Sequence, residues 1–284
     1  MSRRRSLKVA LVKASILTSA LVSLTLILVV HIVVVVYGLP LALLNGLSLL
    51  YATPPLPNQD APVGGVGPSL VGTLVSSGIA VALATPVALI AAFTMVEYKG
   101  RGFVDFLRVV FTSLYGLPTI TISVIVYSLL VIPMRTQSLL AGSLSLALVA
   151  LPVEISYLEG VFSSIPQTYR EAGYAIGLTR WLVLRRVLIG IGKSGVASTV
   201  ALTLARVMGE TAPLLFTIGN AINTYPSSLY SLLQPSSTIT TLIFTLSSSP
   251  FPSQFQFAWA ASLVLYVVYT ALFALSRMVR GVEL

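Results

Sequence analysis

Six stretches of this chain stay apolar long enough to cross a bilayer, and the polar residues fall between them rather than along one side. A spanning helix needs about 20 mostly apolar residues at a rise of about 1.5 Å each. The pattern predicts spans over 14–37, 69–96, 109–132, 138–157, 195–219 and 257–276. Pro86 lies inside the second, and Gly116-Leu117-Pro118 interrupts the third. The segment 51–68 is rich in proline and glycine and reads as a loop of turns. Segment 238–246 is apolar but too short to span, which leaves a strand-like piece, a re-entrant helix or a surface helix. No internal repeat stands out. The expected organisation is a basic tail over 1–13, a first helix and outer loop over 14–67, and a main transmembrane domain over 68–280. The expected fold class is an all-α membrane protein with about six transmembrane helices.

Composition agrees with the pattern. Of the 284 residues 56% are hydrophobic and 9% charged, with a mean hydropathy of +0.96. A soluble domain carries about 25% charged residues. So little charge cannot cover a globule in water, and lipid is the solvent that resolves this. A net charge of +9 with a pI near 10.0 raises nucleic acid as a partner. The basic residues, however, sit in short clusters between apolar runs, and no basic stripe with interleaved aromatics appears.

Those clusters set an orientation. Arg3, Arg4, Arg5, Lys8 and Lys13 precede the first span, and Lys99, Arg101 and Arg108 lie between or at the edges of the second and third. Arg170, Arg180, Arg185, Arg186 and Lys193 separate the fourth from the fifth, and Arg277 and Arg280 follow the sixth. With six spans all four groups fall on one side. The opposite loops hold Arg135 as their only basic residue, and 220–256 has no charge at all. Both termini are therefore expected in the cytoplasm. Ser2-Arg3-Arg4-Arg5-Ser6-Leu7-Lys8 resembles a twin-arginine export signal, but the apolar run after it is longer than such signals carry and five more spans follow. A positive-inside anchor is the reading adopted.

Several chemistries have little to build on. Cysteine is absent and His31, inside an apolar run, is the only histidine. Disulfide frameworks and thiolate metal sites are excluded, and a histidine-based catalytic or zinc site lacks its parts. Gly190-Ile191-Gly192-Lys193-Ser194 is not a P-loop, because Leu188 stands where the first glycine is required.

The segment between the fourth and fifth spans is the most informative. Pro166 suits the first turn of a helix, where its missing N–H costs nothing. Arg170-Glu171-Ala172-Gly173 followed by Gly177 reads as a short helix and a tight turn, with a second helix near Thr179 as N-cap. Small residues at Ala172, Gly173, Ala175 and Gly177 let another surface approach the backbone, with Arg170 and Glu171 at its rim. Two readings fit: a docking element on the cytoplasmic side, or an amphipathic helix lying on anionic lipid.

These residues resemble the EAA loop of ABC importer permeases, E-A-A-x-x-x-G followed after nine residues by I-x-L-P. Here the third position is Gly173 and the terminal proline is Gly190, where a helix break is still expected because glycine weakens helices. The fifth span narrows the resemblance. Ala205-Arg206-Val207-Met208-Gly209-Glu210-Thr211-Ala212-Pro213-Leu214-Leu215-Phe216-Thr217 is similar to the corresponding stretch of the PstA-type phosphate permease family. Gly64-Gly65-Val66-Gly67-Pro68-Ser69-Leu70-Val71-Gly72-Thr73-Leu74, Glu97-Tyr98 and Gly116-Leu117-Pro118 resemble further positions of that family, so the likeness covers roughly 63–220. Ser156 stands where relatives often carry a basic residue.

The resemblance implies a type I importer permease of the MetI-like fold, with a coupling helix formed by Arg170, Glu171, Ala172, Gly173 and Gly177. It implies four partners: a homologous PstC-like permease, a PstB-like ATPase dimer that binds ATP and magnesium, and an extracellular PstS-like phosphate-binding protein. It implies a pore-forming subunit without a cofactor of its own. Permeation of another oxyanion (sulfate, molybdate or tungstate) and a secondary transporter remain as alternatives. Arg206 and Glu210, four residues apart, are expected on one helix face, where they can pair. Charges in a bilayer rarely face lipid. They either line the substrate pathway or brace a helix contact. Arginine suits a phosphate-like anion because its planar fork bonds two oxygens. Pro86, Pro118, Pro152 and Pro213 permit kinks that serve either packing or gating.

Overall fold

The computed structural model describes residues 2–280, with side chains over 11–278, so the side chains of Arg3, Arg4, Arg5, Lys8 and Arg280 lie outside the described residues. Helices α1 (Ser2–Asn45), α2 (Ser48–Tyr51), α3 (Gly67–Glu97), α4 (Gly102–Tyr115), α5 (Thr119–Met134) and α6 (Leu139–Ser164) come first. Then follow α7 (Gln167–Ala175), α8 (Arg180–Ile191), α9 (Lys193–Met208), a 3-10 turn over Leu229–Leu233, α10 (Ile239–Ser247) and α11 (Pro252–Arg280). Among the described residues α1, α3, α6 and α11 are each long and apolar enough to cross a bilayer, and the bent pairs α4–α5 and α8–α9 bring the total to as many as six. This is a multi-pass all-α membrane protein.

Helix α6 is the centre of the bundle and α1 its edge: 72% of the apolar window of α6 is buried, against 0% of that of α1. Association in lipid gains little from hydrophobicity, so close packing of small residues has to supply it. Ala80, Ala84, Ala88 and Ala92 make one four-residue-spaced ridge on α3, each 3% exposed or less. That ridge lets α3 lie along α6, and Leu146, Ala147 and Ala150 meet it. Pro86 and Pro152 both stay inside continuous helices.

Helix α1 begins at Ser2, so the expected basic tail continues the helix. No glycine or proline precedes Gly38 to stop it. It rests mainly on α11, through Tyr37 stacked on Trp259 at 5.1 Å and His31 edge-on to Tyr266 at 5.1 Å. His31 is thus a packing residue, with Nδ1 2.6 Å from the Ile27 carbonyl.

The third span is sharply bent. Helix α4 ends at Tyr115, Pro118 opens α5, and the two axes meet at 97°. The fifth differs from expectation at both ends. The first helical piece after α7 runs through Gly190 and breaks at Gly192, with an 82° bend into α9. At the other end α9 stops at Met208, and 209–219 continues as turns. Pro213 keeps the helix from resuming, since it lacks an N–H and disfavours helical backbone at Ala212.

Non-helical backbone at membrane depth survives only where protein satisfies it. The Pro213 carbonyl accepts hydroxyls from Ser123 of α5 at 2.8 Å, Ser145 of α6 at 3.1 Å and Thr217 at 2.7 Å. The segment after 219 then folds back onto α3. Ser69 and Ser237 hydroxyls lie 2.7 Å apart, and the Ile239 N–H donates to Thr73 Oγ1 at 2.8 Å. Gly72 faces the Ser237 carbonyl so closely that no Cβ could fit between them. The apolar run at 238–246 is helix α10, opened by a Thr238–Thr241 capping box and buried against α11 and α3.

Candidate functional site

Two places hold the residues singled out by the sequence: the loop after α6 and the C-terminal end of α9. In the loop, α6 ends at Ser164, Pro166 takes the N-cap position and α7 follows. Leu178 N–H bonds the Gly173 carbonyl at 3.0 Å and Gly177 N–H bonds that of Tyr174 at 2.9 Å. That pair of bonds is a Schellman cap, which needs a left-handed residue at its turn. Gly177 supplies it at φ 82°. Thr179 then caps α8, its hydroxyl accepting from the Leu182 N–H.

The small residues divide their work. Gly173 is buried, and a Cβ there would press on Val183 Cγ2 at 3.2 Å. Its size lets α7 fold back on α8 within this chain. Ala172, Ala175 and Gly177 are exposed, beside Tyr169 and an Ile176 that is 79% exposed. Tyr169 and Ala172 share one face of α7, Ile176 follows at its C-cap, and these exposed apolar side chains are the surface that the loop offers outward. Ile176 was not singled out from sequence, where it read as part of the turn.

Arg170 points the other way. Its side chain is 12% exposed, with Nε 3.9 Å from Glu97 Oε2 at the end of α3. The Tyr174 hydroxyl donates to Glu97 Oε1 at 2.7 Å. Burial, and after it the hydrogen bond and charge of Glu97, push the Tyr174 hydroxyl above its ordinary range, so it remains a donor at neutral pH. Arg180 donates to the Tyr98 hydroxyl, and its guanidinium lies 4.8 Å from that ring's centre. Helix α7 is thereby clamped to the end of α3 by Arg170 and Tyr174, and α8 by Arg180. Glu171 stays exposed and accepts from Gln167 at 2.8 Å. An open cleft of about 560 Å³ runs between α7 and α3, lined by Glu97, Lys99, Glu159, Arg170 and Glu171. Glu97 and Tyr98 stand in the sequence resemblance, but nothing in the sequence names their partners.

Arg206 and Glu210 are brought together without being joined. Arg206 lies in the last turn of α9, and Glu210 lies beyond it. They do not share the helix face expected of them, because the helix ends between them. No ion pair within 4.0 Å and no hydrogen bond engages the Arg206 guanidinium among the described residues. Both line one open cleft of about 390 Å³, walled by Tyr157, Tyr269 and Phe273. Thr240 donates to the Glu210 carbonyl at 2.8 Å and ties that residue to the start of α10. Arg206 is exposed on this chain and its five donors are uncommitted.

Comparison with known proteins places this architecture. No family model matches the chain. A probable phosphate transport system permease protein PstA of Methanocaldococcus jannaschii is 34% identical over 259 residues, covering 90% of this chain and 89% of its own. Phosphate transport system permease protein PstA 1 of Mycobacterium tuberculosis is 33% identical over 232 residues, 80% of this chain and 73% of its own. Among solved structures, the inward-facing MetNI methionine ABC transporter matches with a TM-score of 0.56 at 20% identity, over 78% of this chain and 95% of that one. A bacterial alginate ABC transporter matches with a TM-score of 0.52 at 16% identity, over 73% of this chain and 75% of that one. The folds are shared at identities too low to carry substrate. With the kinship to the archaeal relative running almost end to end, the chain belongs to the PstA family of phosphate transport system permease proteins.

Proposed function

We propose that this chain is the permease subunit of an ATP-driven phosphate importer and forms half of its translocation pathway. A homologous PstC-like permease supplies the other half. A PstB-like ATPase dimer, which binds ATP and magnesium, docks on the cytoplasmic side, and a PstS-like binding protein delivers phosphate from outside. The observation that carries this reading is the kinship over 90% of this chain and 89% of the archaeal relative.

The chemistry of the α9 cleft favours phosphate among oxyanions. Arg206 has free N–H groups for an anion's oxygens, and Glu210 lines the same cleft. A carboxylate repels an anion unless the anion brings a proton to share. Phosphate at neutral pH carries one or two, whereas sulfate, molybdate and tungstate carry none. Glu210 also weakens the grip of Arg206, and a pathway must release what it holds. Uptake of labelled phosphate by cells with and without the gene tests this, with sulfate as competitor. Loss of phosphate uptake on deletion, undiminished in the wild type by excess sulfate, is expected.

Coupling to ATP follows a continuous path through this chain. The ATPase engages the outward surface of α7. Arg170 and Tyr174 pass its displacement to Glu97, and α3 spans the membrane as one helix of 31 residues, about 46 Å. At its other end Ser69 and Thr73 hold 237–239, and Thr240 holds Glu210. A shift of α7 is thereby felt at the Arg206 cleft.

Two expectations belong to this reading. Both termini face the cytoplasm, so reporters inserted after Arg135 or within 220–256 register outside; a cytoplasmic signal at either place contradicts the orientation. Gly177 needs a left-handed backbone, which costs other L-residues about 1–2 kcal/mol and asparagine less. Gly177→Val should lower co-purification with the ATPase, and Gly177→Asn should largely retain it. Equal yields from the two variants would show that the turn plays no part in docking.

A further inference from the structure

A further arginine–carboxylate pair, Arg108 and Glu159, lies between α4 and the last turns of α6. Arg108, Thr112 and Tyr115 fall four and three residues apart on α4, which puts them on one face of that helix. Ser156 and Glu159 are three apart on α6. Together with Tyr157 these residues line an open cleft of about 260 Å³. Arg108 Nη2 donates to Glu159 Oε1 at 2.5 Å, while its Nη1 lies 3.8 Å from Asp105, too far for a hydrogen bond. Among the described residues no other hydrogen bond engages this guanidinium. Thr112, Tyr115, Ser156 and Tyr157 bring hydroxyl groups to the lining of the same cleft, beside apolar Met95, Phe111 and Ile155. Tyr157 also lines the Arg206 cleft, so the two clefts adjoin at one side chain.

We propose that the α4–α6 cleft is an oxyanion station on the cytoplasmic side of the pathway, held by Arg108 with hydroxyl-bearing residues of the cleft lining, and with Glu159 as the built-in competitor that displaces the ion. The inference rests on the phosphate reading above. An ion leaving Arg206 past Tyr157 meets next a guanidinium with donors to spare. It shares Arg108 with Glu159 while it stays, and the carboxylate retakes its 2.5 Å bond when the ion departs. Two carboxylates beside one guanidinium, Glu159 and Asp105, make the hold brief. The cleft on its own would also suit a plain brace between α4 and α6, and the two roles predict opposite results.

The test uses the whole complex in proteoliposomes with inorganic phosphate, rates being normalised to assembled complex. Arg108→Lys keeps a charge that can pair with Glu159 but loses the fork. Turnover should fall about tenfold, with the half-saturating external phosphate unchanged, since one charge-assisted hydrogen bond is at stake. Glu159→Gln removes the competitor, so phosphate added on the cytoplasmic side should inhibit uptake at about tenfold lower concentration. A brace predicts wild-type turnover in Arg108→Lys and in the apolar pair Arg108→Met with Glu159→Met. Either of those results, or unchanged internal inhibition in Glu159→Gln, overturns the station. A wild-type complex that moves no phosphate would instead overturn the phosphate reading itself.

Discussion

Arg206→Lys assembles like the wild type and loses most of its phosphate uptake. Among the described residues the exposed guanidinium has no hydrogen bond and no ion pair within 4.0 Å, so exchanging it for an ammonium leaves Glu210 a cation in the same cleft and breaks no contact that holds α9. What it takes away is the planar two-toothed grip on an oxyanion. A charge-assisted hydrogen bond contributes about 1.5–3 kcal/mol, which corresponds to about 10- to 100-fold in rate if the contact forms as the ion passes. Glu210→Gln has a different signature. It keeps the shape, removes the charge that repels unprotonated oxyanions, and should let sulfate compete where it did not before. The apolar double replacement of Arg206 and Glu210 separates pathway from packing. Replacing a bracing ion pair by apolar residues is often close to neutral. Uptake by that double variant at the wild-type rate would show that the charges serve packing alone.

The second large effect is expected at the clamp between α7 and α3. Glu97→Leu leaves Arg170 without its partner in a site where the Arg170 side chain is only 12% exposed and where Nη1 already lacks a hydrogen bond. Tyr174 loses its acceptor in the same step. An unpartnered polar group of this kind costs about 1–3 kcal/mol, enough to release α7 from α3 without unfolding spans whose packing lies elsewhere. The ATPase should still bind through the outward surface of α7 and still hydrolyse ATP, while phosphate transported per ATP falls several-fold. Glu97→Leu combined with Arg170→Met leaves no charge unpaired. It should recover complex stability but not coupling, because the connection between α7 and α3 is gone. Full coupling in the double variant would remove the clamp from the mechanism.

The chain's own letters carried much of this. Apolar runs are enough to place the long helices α1, α3, α6 and α11, because lipid demands long uninterrupted apolar stretches and leaves few exceptions. The α7 turn was readable at Gly177 and Thr179, where the backbone admits few residue types. The end of α9 was misjudged from hydropathy, since 209–219 is as apolar as a helix. The sign was Pro213, whose effect depends on Ser123 and Ser145 arriving from two other helices to satisfy its carbonyl. The inward turn of Arg170 was hidden for the same reason. Its partner Glu97 lies on a helix far off in sequence, and a rim charge and a clamp charge look alike until the two helices meet.

A permease subunit of this kind conducts phosphate under the control of ATP. The most direct measurement of this is accumulation of labelled phosphate by proteoliposomes holding the assembled complex, with binding protein outside and ATP inside. Phosphate should accumulate only when both are present, and excess sulfate should leave the rate unchanged. Accumulation that persists without ATP, or of sulfate or molybdate in place of phosphate, would contradict the account.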